Sequence, residues 1–235
     1  MNKIIKLSFS RAADIYEKEA VIQKHSAKIL SEIAKDIKGK GIDLGCGTGF
    51  LYEYIKKDII GIDISFNMAN HYKRKNKKVV VADIENLPFK NNIFDFALSN
   101  FSLHWTDLKK SVAEIKRVLK ENGYFIFNMP VKGSLKIVET IIGEENFDFL
   151  DKNQLLKILK ENDFIIKQSF EKEFFISFKD GISLLEHLHK TGSAVGKKGK
   201  TVGEKKKIVD KFKNYTKPAF LNYKLIFISA IYKKI

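Results

Sequence analysis

The stretch Ile42-Asp43-Leu44-Gly45-Cys46-Gly47-Thr48-Gly49-Phe50 joins a short apolar run that ends on an acid to three alternating glycines. An amphipathic segment begins directly afterwards, at Leu51. This pattern predicts a buried strand that ends at Asp43, a tight turn over residues 45–49, and a helix whose first backbone N–H groups face a crevice. We expect a small polar ligand to lie against the bare backbone of the turn.

The acids near this loop indicate what the ligand is. Dinucleotide-binding loops follow Gly-x-Gly-x-x-Gly and hold a pyrophosphate, whereas this loop reads Gly-x-Gly-x-Gly and follows Asp43. Two later apolar runs also end on acids, Asp63 and Asp83. The glycines alone would also fit a turn that merely lets a helix pack on a sheet. With acids at three successive strand ends, the sequence predicts an adenosine site that holds no phosphate and favours a cationic group.

Strand and helix patterns alternate along the chain, which predicts an α/β fold with a mostly parallel sheet covered by helices on both faces. The strand patterns end at 43 and then run over 58–63, 78–84, 93–100, 124–129, 164–178 and 223–232. Ligands of such sheets bind at the carboxyl ends of the strands. The predicted helices begin at Asp14, at Thr106 or Asp107, at Gly133, at Asp151 and at Asp180.

A chain of 235 residues is expected to form a single domain. We divide it into an N-terminal helical cover over 1–38, a cofactor-binding core over 39–130, substrate-side insertions over 131–220 and a final strand over 221–235. The cover is predicted as one helix over 14–38, with a buried stripe of Ile22, Ile29, Ile33 and Ile37.

Two local expectations concern the ends of elements. Asn122-Gly123 is predicted to end the helix that begins near Asp107. Asp151 and Gln154 resemble a capping pair for a helix that runs to Glu161. The stretch 191–203 is rich in glycine and lysine without periodicity and is predicted to be mobile.

The composition indicates the compartment and the kind of partner to expect. The one cysteine, Cys46, excludes an internal disulfide and fits a reducing compartment, and no apolar run approaches membrane-spanning length, so a soluble cytoplasmic protein is expected. The net charge of +15 suggests an acidic partner, although lysine spread along the chain also fits a plain solvated surface. One cluster stands out, formed by Lys197, Lys198, Lys200, Lys205, Lys206 and Lys207.

These features resemble the class I S-adenosylmethionine-dependent methyltransferases over most of the chain. The resemblance implies a Rossmann-like domain with seven strands, the last of them antiparallel, and S-adenosylmethionine as cofactor. It places the glycine loop beneath the methionine part, Asp63 at the ribose and Asp83 beside the adenine. The implied cofactor-binding residues are Asp43, Gly45, Gly47, Gly49, Asp63, Ile64, Asp83, Ile84 and Asn100.

The loop after the fourth strand is the segment that should indicate the class of methyl acceptor. Its run Ser99-Asn100-Phe101-Ser102-Leu103-His104-Trp105 lacks the Asn/Asp-Pro-Pro-Tyr/Phe clamp of many nucleic-acid amino-methyltransferases, which stacks on a flipped base. The chain also has no Pro-Cys nucleophile. Nucleic acid is therefore not the expected acceptor.

Three segments taken together resemble the malonyl-acyl carrier protein O-methyltransferases of biotin synthesis. They are residues 9–16 with Gln23, residues 100–105, and residues 223–233. That family esterifies the free carboxyl of a malonyl thioester, which implies an acyl carrier protein carrying a malonyl group as partner. The sequence departs from the family at Asn222 and Lys224, where threonine and glutamate are expected.

A carboxylate is already a nucleophile at neutral pH, so the reaction needs alignment and exclusion of water rather than a general base. Arg11, Tyr16 and His104 are the candidates for anchoring the malonyl group, and Phe101 and Trp105 for the substrate wall. Each of the three anchors could instead be structural, as an ion-paired, core or strand-end residue. No metal site is expected.

The lysine cluster over 197–207 is predicted to form a basic rim that steers an acidic carrier protein. Three alternatives stay open. The protein could methylate another small acceptor, such as a quinone precursor or a different carboxylic acid. It could bind or modify RNA through its lysines, or bind the cofactor without catalysis.

Overall fold

The computed structural model describes residues 3–144, 147–193 and 201–234, and its strands form one seven-stranded sheet. The strands are β1 Gly41–Leu44, β2 Ile59–Asp63, β3 Val79–Val81, β4 Phe94–Asn100, β5 Leu119–Pro130, β6 Phe164–Phe178 and β7 Ala219–Tyr232. Their order is β3-β2-β1-β4-β5-β7-β6. Strands β1 to β5 are parallel, while β7 runs antiparallel to both β5 and β6. The predicted sheet with an antiparallel last strand is confirmed.

Helices cover both faces of this sheet, as predicted. They are α1 Lys3–Glu19, α2 Val21–Ile33, α3 Phe50–Ile55, α4 Phe66–Lys75, α5 Leu108–Val118, α6 Lys136–Ile142, α7 Lys152–Lys160, α8 Gly181–Lys190 and α9 Val202–Asn214. One apolar core buries Leu30 of α2, Leu184 of α8 and Phe212 of α9. A second core on the opposite face buries Val112 of α5 and Leu155 of α7.

The central strands are buried on both faces, which explains their unbroken apolar sequences. The run Phe125-Ile126-Phe127 of β5, for example, contributes Ile126 to one core and both phenylalanines to the other. Such runs are typical of parallel strands between two helical layers. Because β1, β2 and β4 are parallel and adjacent, their carboxyl ends meet at one edge of the sheet.

The predicted single helix over 14–38 is wrong. The structure has two helices, α1 and α2, which meet at the fully buried Ala20. The predicted isoleucine stripe is only partly buried, since Ile29 and Ile33 are half-exposed. Helix α2 instead buries a face with small and polar side chains, including Ser26, because this face packs over the polar end of the sheet.

Two other boundaries also differ from the predictions. Helix α5 ends at Val118, and Asn122-Gly123 lies inside β5, where the register against β4 shifts. Asn122 has φ +63°, and a Cβ at Gly123 would lie 2.8 Å from the Lys120 carbonyl oxygen, so this pair forms a tight turn within the strand. The final strand begins at Ala219 rather than at 221.

The side chain of Asp107 caps α5, and Asp151 and Gln154 form a reciprocal capping box at α7. The strand over 164–178 has the predicted bounds. Within the stretch predicted to be mobile, 194–200 lies outside the described residues, while α9 begins at Val202. None of the helices in the described part of the chain combines the length and the apolar composition that a membrane span requires.

Candidate active site

The glycine loop lines a crevice at the carboxyl end of β1. Gly45 has φ +69°, and a Cβ there would lie 1.9 Å from Ser102 Oγ, so only glycine fits between the two loops. Gly47 has φ +53°, and a Cβ there would meet no atom within 4 Å, because this residue borders the open crevice. Gly49 instead packs towards Tyr72 of α4 and does not line the crevice.

Asp63 faces the crevice from the end of β2. Its Oδ2 accepts a hydrogen bond of 3.0 Å from the Gly47 N–H, and its Oδ1 accepts one of 2.8 Å from the Ser65 N–H. Burial raises the pKa of this carboxyl to about 6, although the two hydrogen bonds oppose the rise. A carboxylate fixed in this way keeps lone pairs free for the hydroxyls of a ligand.

Asp43 lies beneath the loop rather than in the crevice. Its side chain is 1% exposed, and its Oδ2 has no hydrogen-bond partner among the described residues. Burial, and then the nearby Asp63 carboxylate, raise the pKa of Asp43 to about 8. The structure therefore does not bring Asp43 to the crevice surface, where the sequence placed it.

Apolar side chains also line the crevice. Ile64, Met68, Ala82 and Ile84 line it and could hold a flat ring. Asp83 lies between two of these residues, but its Oδ1 accepts a hydrogen bond of 3.0 Å from the Glu85 N–H, so it shapes the turn after β3. Polar groups and apolar side chains that line one crevice together fit a nucleoside.

Asn100 lines the crevice and is fixed by a buried network. Its Oδ1 accepts hydrogen bonds from Ser26 Oγ at 2.8 Å and from Asn128 Nδ2 at 2.7 Å, and its Nδ2 donates one of 3.0 Å to the Gln23 carbonyl. Phe101, next in the chain, has the unusual φ of +60° and donates its N–H to Asn128. Neither Ser26 nor Asn128 was among the predicted site residues. An asparagine inside the apolar run of β5 was the available signal.

A second cavity lies beside the crevice, and we call it the acceptor cavity. The two spaces share a wall formed by Phe9, Tyr16, Phe101 and Trp105. The polar residues that line the acceptor cavity are Tyr16, Gln23, His104, Thr191, Ser193 and Tyr223, and its other lining residues are apolar. A ligand in each space would meet the other at this wall.

Tyr16 and His104, two of the three predicted anchors, both line the acceptor cavity. The Tyr16 ring stacks on Phe50 with 6.0 Å between ring centroids, and burial raises its pKa far above the ordinary phenol value. Its hydroxyl therefore stays protonated at neutral pH. His104 is 7% exposed, and its ring lies 4.7 Å from that of Trp105.

Arg11 is not part of this arrangement. It is exposed on α1 and lines neither the crevice nor the acceptor cavity. Phe9 and Tyr16 are seven residues apart and share one face of the helix, whereas Arg11 follows Phe9 by two positions and points away. No described lysine or arginine lines the acceptor cavity.

Helix α1 covers the crevice and is attached to α4. The hydroxyls of Ser10 and Ser65 lie 2.8 Å apart, and Asn67 Nδ2 donates to the Ser10 carbonyl at 2.9 Å. Further along, His71 Nε2 lies 3.0 Å from Asp14 Oδ1. These contacts place Phe9 and Tyr16 over the end of the sheet.

Known proteins are similar to this chain in sequence and in fold. The family described as "Methyltransferase domain" matches residues 42–127. A malonyl-[acyl-carrier protein] O-methyltransferase of Hamiltonella defensa is 36% identical, with 55% of this chain and 53% of that protein aligned. The protein of the same name from Herminiimonas arsenicoxydans is 27% identical, with 96% of this chain and 94% of that protein aligned. The resemblance inferred from the sequence is thereby confirmed.

The fold has solved counterparts as well. The structure of an S-adenosylmethionine-dependent methyltransferase of Thermotoga maritima superposes with a TM-score of 0.61 at 20% identity, and it covers 96% of this chain and 99% of that one. The chain spans about half the length of several curated relatives that it matches. In its strand order, its glycine loop and these matches, the chain is similar to the class I S-adenosylmethionine-dependent methyltransferases, and residues 42–127 match the methyltransferase domain.

Proposed function

We propose that this protein esterifies the free carboxylate of a malonyl group carried as a thioester on acyl carrier protein, an early step of biotin synthesis. The observation that carries the proposal is the acceptor cavity, which shares a wall with the nucleoside-shaped crevice and holds neutral hydrogen-bonding groups without a described cation. The malonyl-[acyl-carrier protein] O-methyltransferases that align with the chain support this choice of acceptor.

The crevice residues fit S-adenosylmethionine, which when bound supplies a methyl group on a positively charged sulfur. The bare backbone at Gly45 and Gly47 would lie beneath its methionine part. Asp63 would accept hydrogen bonds from the ribose hydroxyls, since its carboxylate already faces the crevice. Ile64 and Ile84 would enclose the adenine.

The other residues predicted to bind the cofactor would support its site indirectly. Asn100 would border the cofactor while its network holds Phe101 in place. Asp43 and Gly49 would shape the loop from below, since neither lines the crevice. Asp83 would set the turn that presents Ile84.

The acceptor side needs only to hold and align a carboxylate. Ester formation from a carboxylate transfers no proton, so no general base is required. Tyr16 and His104 would contact the acceptor, while Phe101 and Trp105 would exclude water at the shared wall. Well-oriented reactants can gain roughly 7 to 11 kcal/mol from alignment alone.

The proposal is tested with methyl-labelled S-adenosylmethionine and four separate acceptors: malonyl-acyl carrier protein, malonyl-coenzyme A, free malonate and bulk RNA. We expect label to appear as a base-labile ester on the malonyl thioester. Acetyl-acyl carrier protein, which lacks the free carboxylate, is the matched control and should stay unlabelled. Label on RNA alone, or on none of the malonyl compounds, would overturn the proposal.

A further inference from the structure

We propose that Tyr223 is a further catalytic residue, whose hydroxyl donates a hydrogen bond to the acceptor carboxylate inside the acceptor cavity, together with Tyr16. The inference rests on the proposed function, because it names the group that holds the substrate of that same site. It replaces Arg11, the anchor expected from the sequence, with a neutral residue on the last strand.

The Tyr223 hydroxyl is buried without a partner. The residue is 3% exposed and lines the acceptor cavity, and its oxygen makes no hydrogen bond with any residue that the structure describes. Its ring lies edge-on to Phe101 at 5.3 Å, which sets it at the shared wall. Buried polar groups are nearly always hydrogen-bonded in proteins, so a hydroxyl left open towards a cavity indicates a ligand.

The surrounding structure fixes Tyr223 in this position. Strand β7 lies between β5 and β6, and Tyr223 is paired with Phe174. Asn222 donates to the Gly133 carbonyl at 2.8 Å and accepts from the Lys136 N–H at 3.1 Å, which ties β7 to the start of α6. Asn222, where the resemblance led us to expect threonine, thus braces the cavity wall.

The chemistry of the site suits a carboxylate nucleophile. Burial raises the pKa of Tyr223 to about 12, and the Ser193 hydroxyl, which lies near the phenol but outside hydrogen-bonding geometry, limits the rise, so the phenol remains a donor at neutral pH. A phenol and a carboxylate form a charge-assisted hydrogen bond. An arginine pairing with both oxygens would withdraw more charge from the nucleophile. Two neutral phenols orient the carboxylate and leave it reactive.

The test compares Tyr223→Phe with the unchanged protein, using the full chain and malonyl-acyl carrier protein. We expect kcat/KM to fall roughly ten- to a hundredfold, the effect of removing a hydrogen bond to a charged group. The dissociation constant for S-adenosylmethionine should stay within twofold. The melting temperature should not fall, because the variant removes only an unpartnered hydroxyl, and this separates a role in binding from one in stability.

Tyr232→Phe is the matched control. Tyr232 is also buried on β7, but its ring packs against Phe164 in the second core, away from the acceptor cavity. This variant should keep the kcat/KM of the unchanged protein. If Tyr223→Phe also kept it while both proteins formed the methyl ester, the role of Tyr223 would be refuted and the proposed function would stand.

A binding measurement tests the role of Tyr223 in holding the substrate, independently of methyl transfer. Malonyl-coenzyme A is titrated calorimetrically into each protein saturated with S-adenosylhomocysteine, the demethylated cofactor. Weaker binding by at least tenfold in Tyr223→Phe supports the inference, even where the unchanged protein transfers no methyl group and the proposed function fails. Equal binding in the two proteins overturns it.

Discussion

Among single residues, Asp43 makes folding depend on pH. The unfolded chain ionises this carboxyl near its ordinary pKa of 3.8, whereas the folded protein retains the proton up to about 8. The folded state therefore binds more protons between these values, and Asp43 lowers the free energy of unfolding as pH rises through that window. Asp43→Asn removes this dependence. Relative to the unchanged protein, the ligand-free variant should gain roughly 2 kcal/mol between pH 6 and pH 8.

Urea unfolding at the two pH values measures this gain. Asp95→Asn is the control. The Lys120 side chain lowers the pKa of Asp95, so this carboxyl is ionised in both the folded and the unfolded protein at pH 6 and above. Its contribution to the free energy of unfolding therefore no longer changes with pH in this range. Its stability relative to the unchanged protein should be the same at pH 6 and pH 8. A stability difference for Asp43→Asn that did not change with pH would show that Asp43 ionises normally in the folded protein.

The position of a site residue could be predicted where the sequence immediately around that residue determines it. Asp63 follows a strand whose end is marked by its own sequence, so its place at the crevice could be predicted. Arg11 and Asn128 could not be placed in this way. The exposed position of Arg11 depends on the orientation of α1 on the sheet. Asn128 matters because its side chain on β5 donates a hydrogen bond to Asn100 on the neighbouring strand β4.

At the level of elements, α1 should act as a cover held partly by Phe9. The Phe9 ring lies 5.7 Å from the Trp105 ring, and a Cβ on Gly192 would come within 2.9 Å of it, so Phe9 fits tightly between Trp105 and the turn that follows α8. Phe9→Ala should raise the dissociation constant for S-adenosylmethionine roughly two- to tenfold, the range for losing an aromatic pair. The fluorescence of Trp105, the one tryptophan, can follow binding.

Leu7→Ala on the same helix is the control for Phe9→Ala. Leu7 is exposed and lines neither cavity, so this variant should bind the cofactor as the unchanged protein does. Equal losses in both variants would mean that α1 is merely destabilised as a whole, and no loss in either would mean that it does not cover the ligand.

Elements with their own start and stop signals were predicted closely, and those without such signals were not. Helix α7 has a capping box in its sequence, and its bounds differ from the prediction by one residue at each end. The break at Ala20 has no glycine or proline to mark it, since alanine favours helix. It exists because α1 turns back over the sheet, a tertiary requirement that no local pattern contains.

On the scale of the whole molecule, exposed lysines lie on both sides of the sheet, on α9 on one side and on α5 and α7 on the other. Helix α9 packs against α6 and α8, the elements next to the acceptor cavity, and Lys211 donates to the Ile142 carbonyl at the end of α6. The predicted basic rim is represented on α9 by Lys205, Lys206 and Lys207, which are exposed. Lys197, Lys198 and Lys200 lie outside the described residues. Helices α5 and α7 carry exposed lysines on the opposite face of the sheet.

This arrangement predicts that charge on α9 governs encounter with an acidic carrier. Changing Lys205, Lys206 and Lys207 to glutamate should raise the KM for malonyl-acyl carrier protein about tenfold at low salt, with kcat unchanged, because steering acts on association. The difference should shrink as salt screens the charges. The same changes at Lys109, Lys157 and Lys160, on the opposite face, alter the net charge equally and should leave KM nearly unchanged. Equal increases in both triple variants would mean that only the overall charge attracts the carrier, and that the carrier does not dock beside α9.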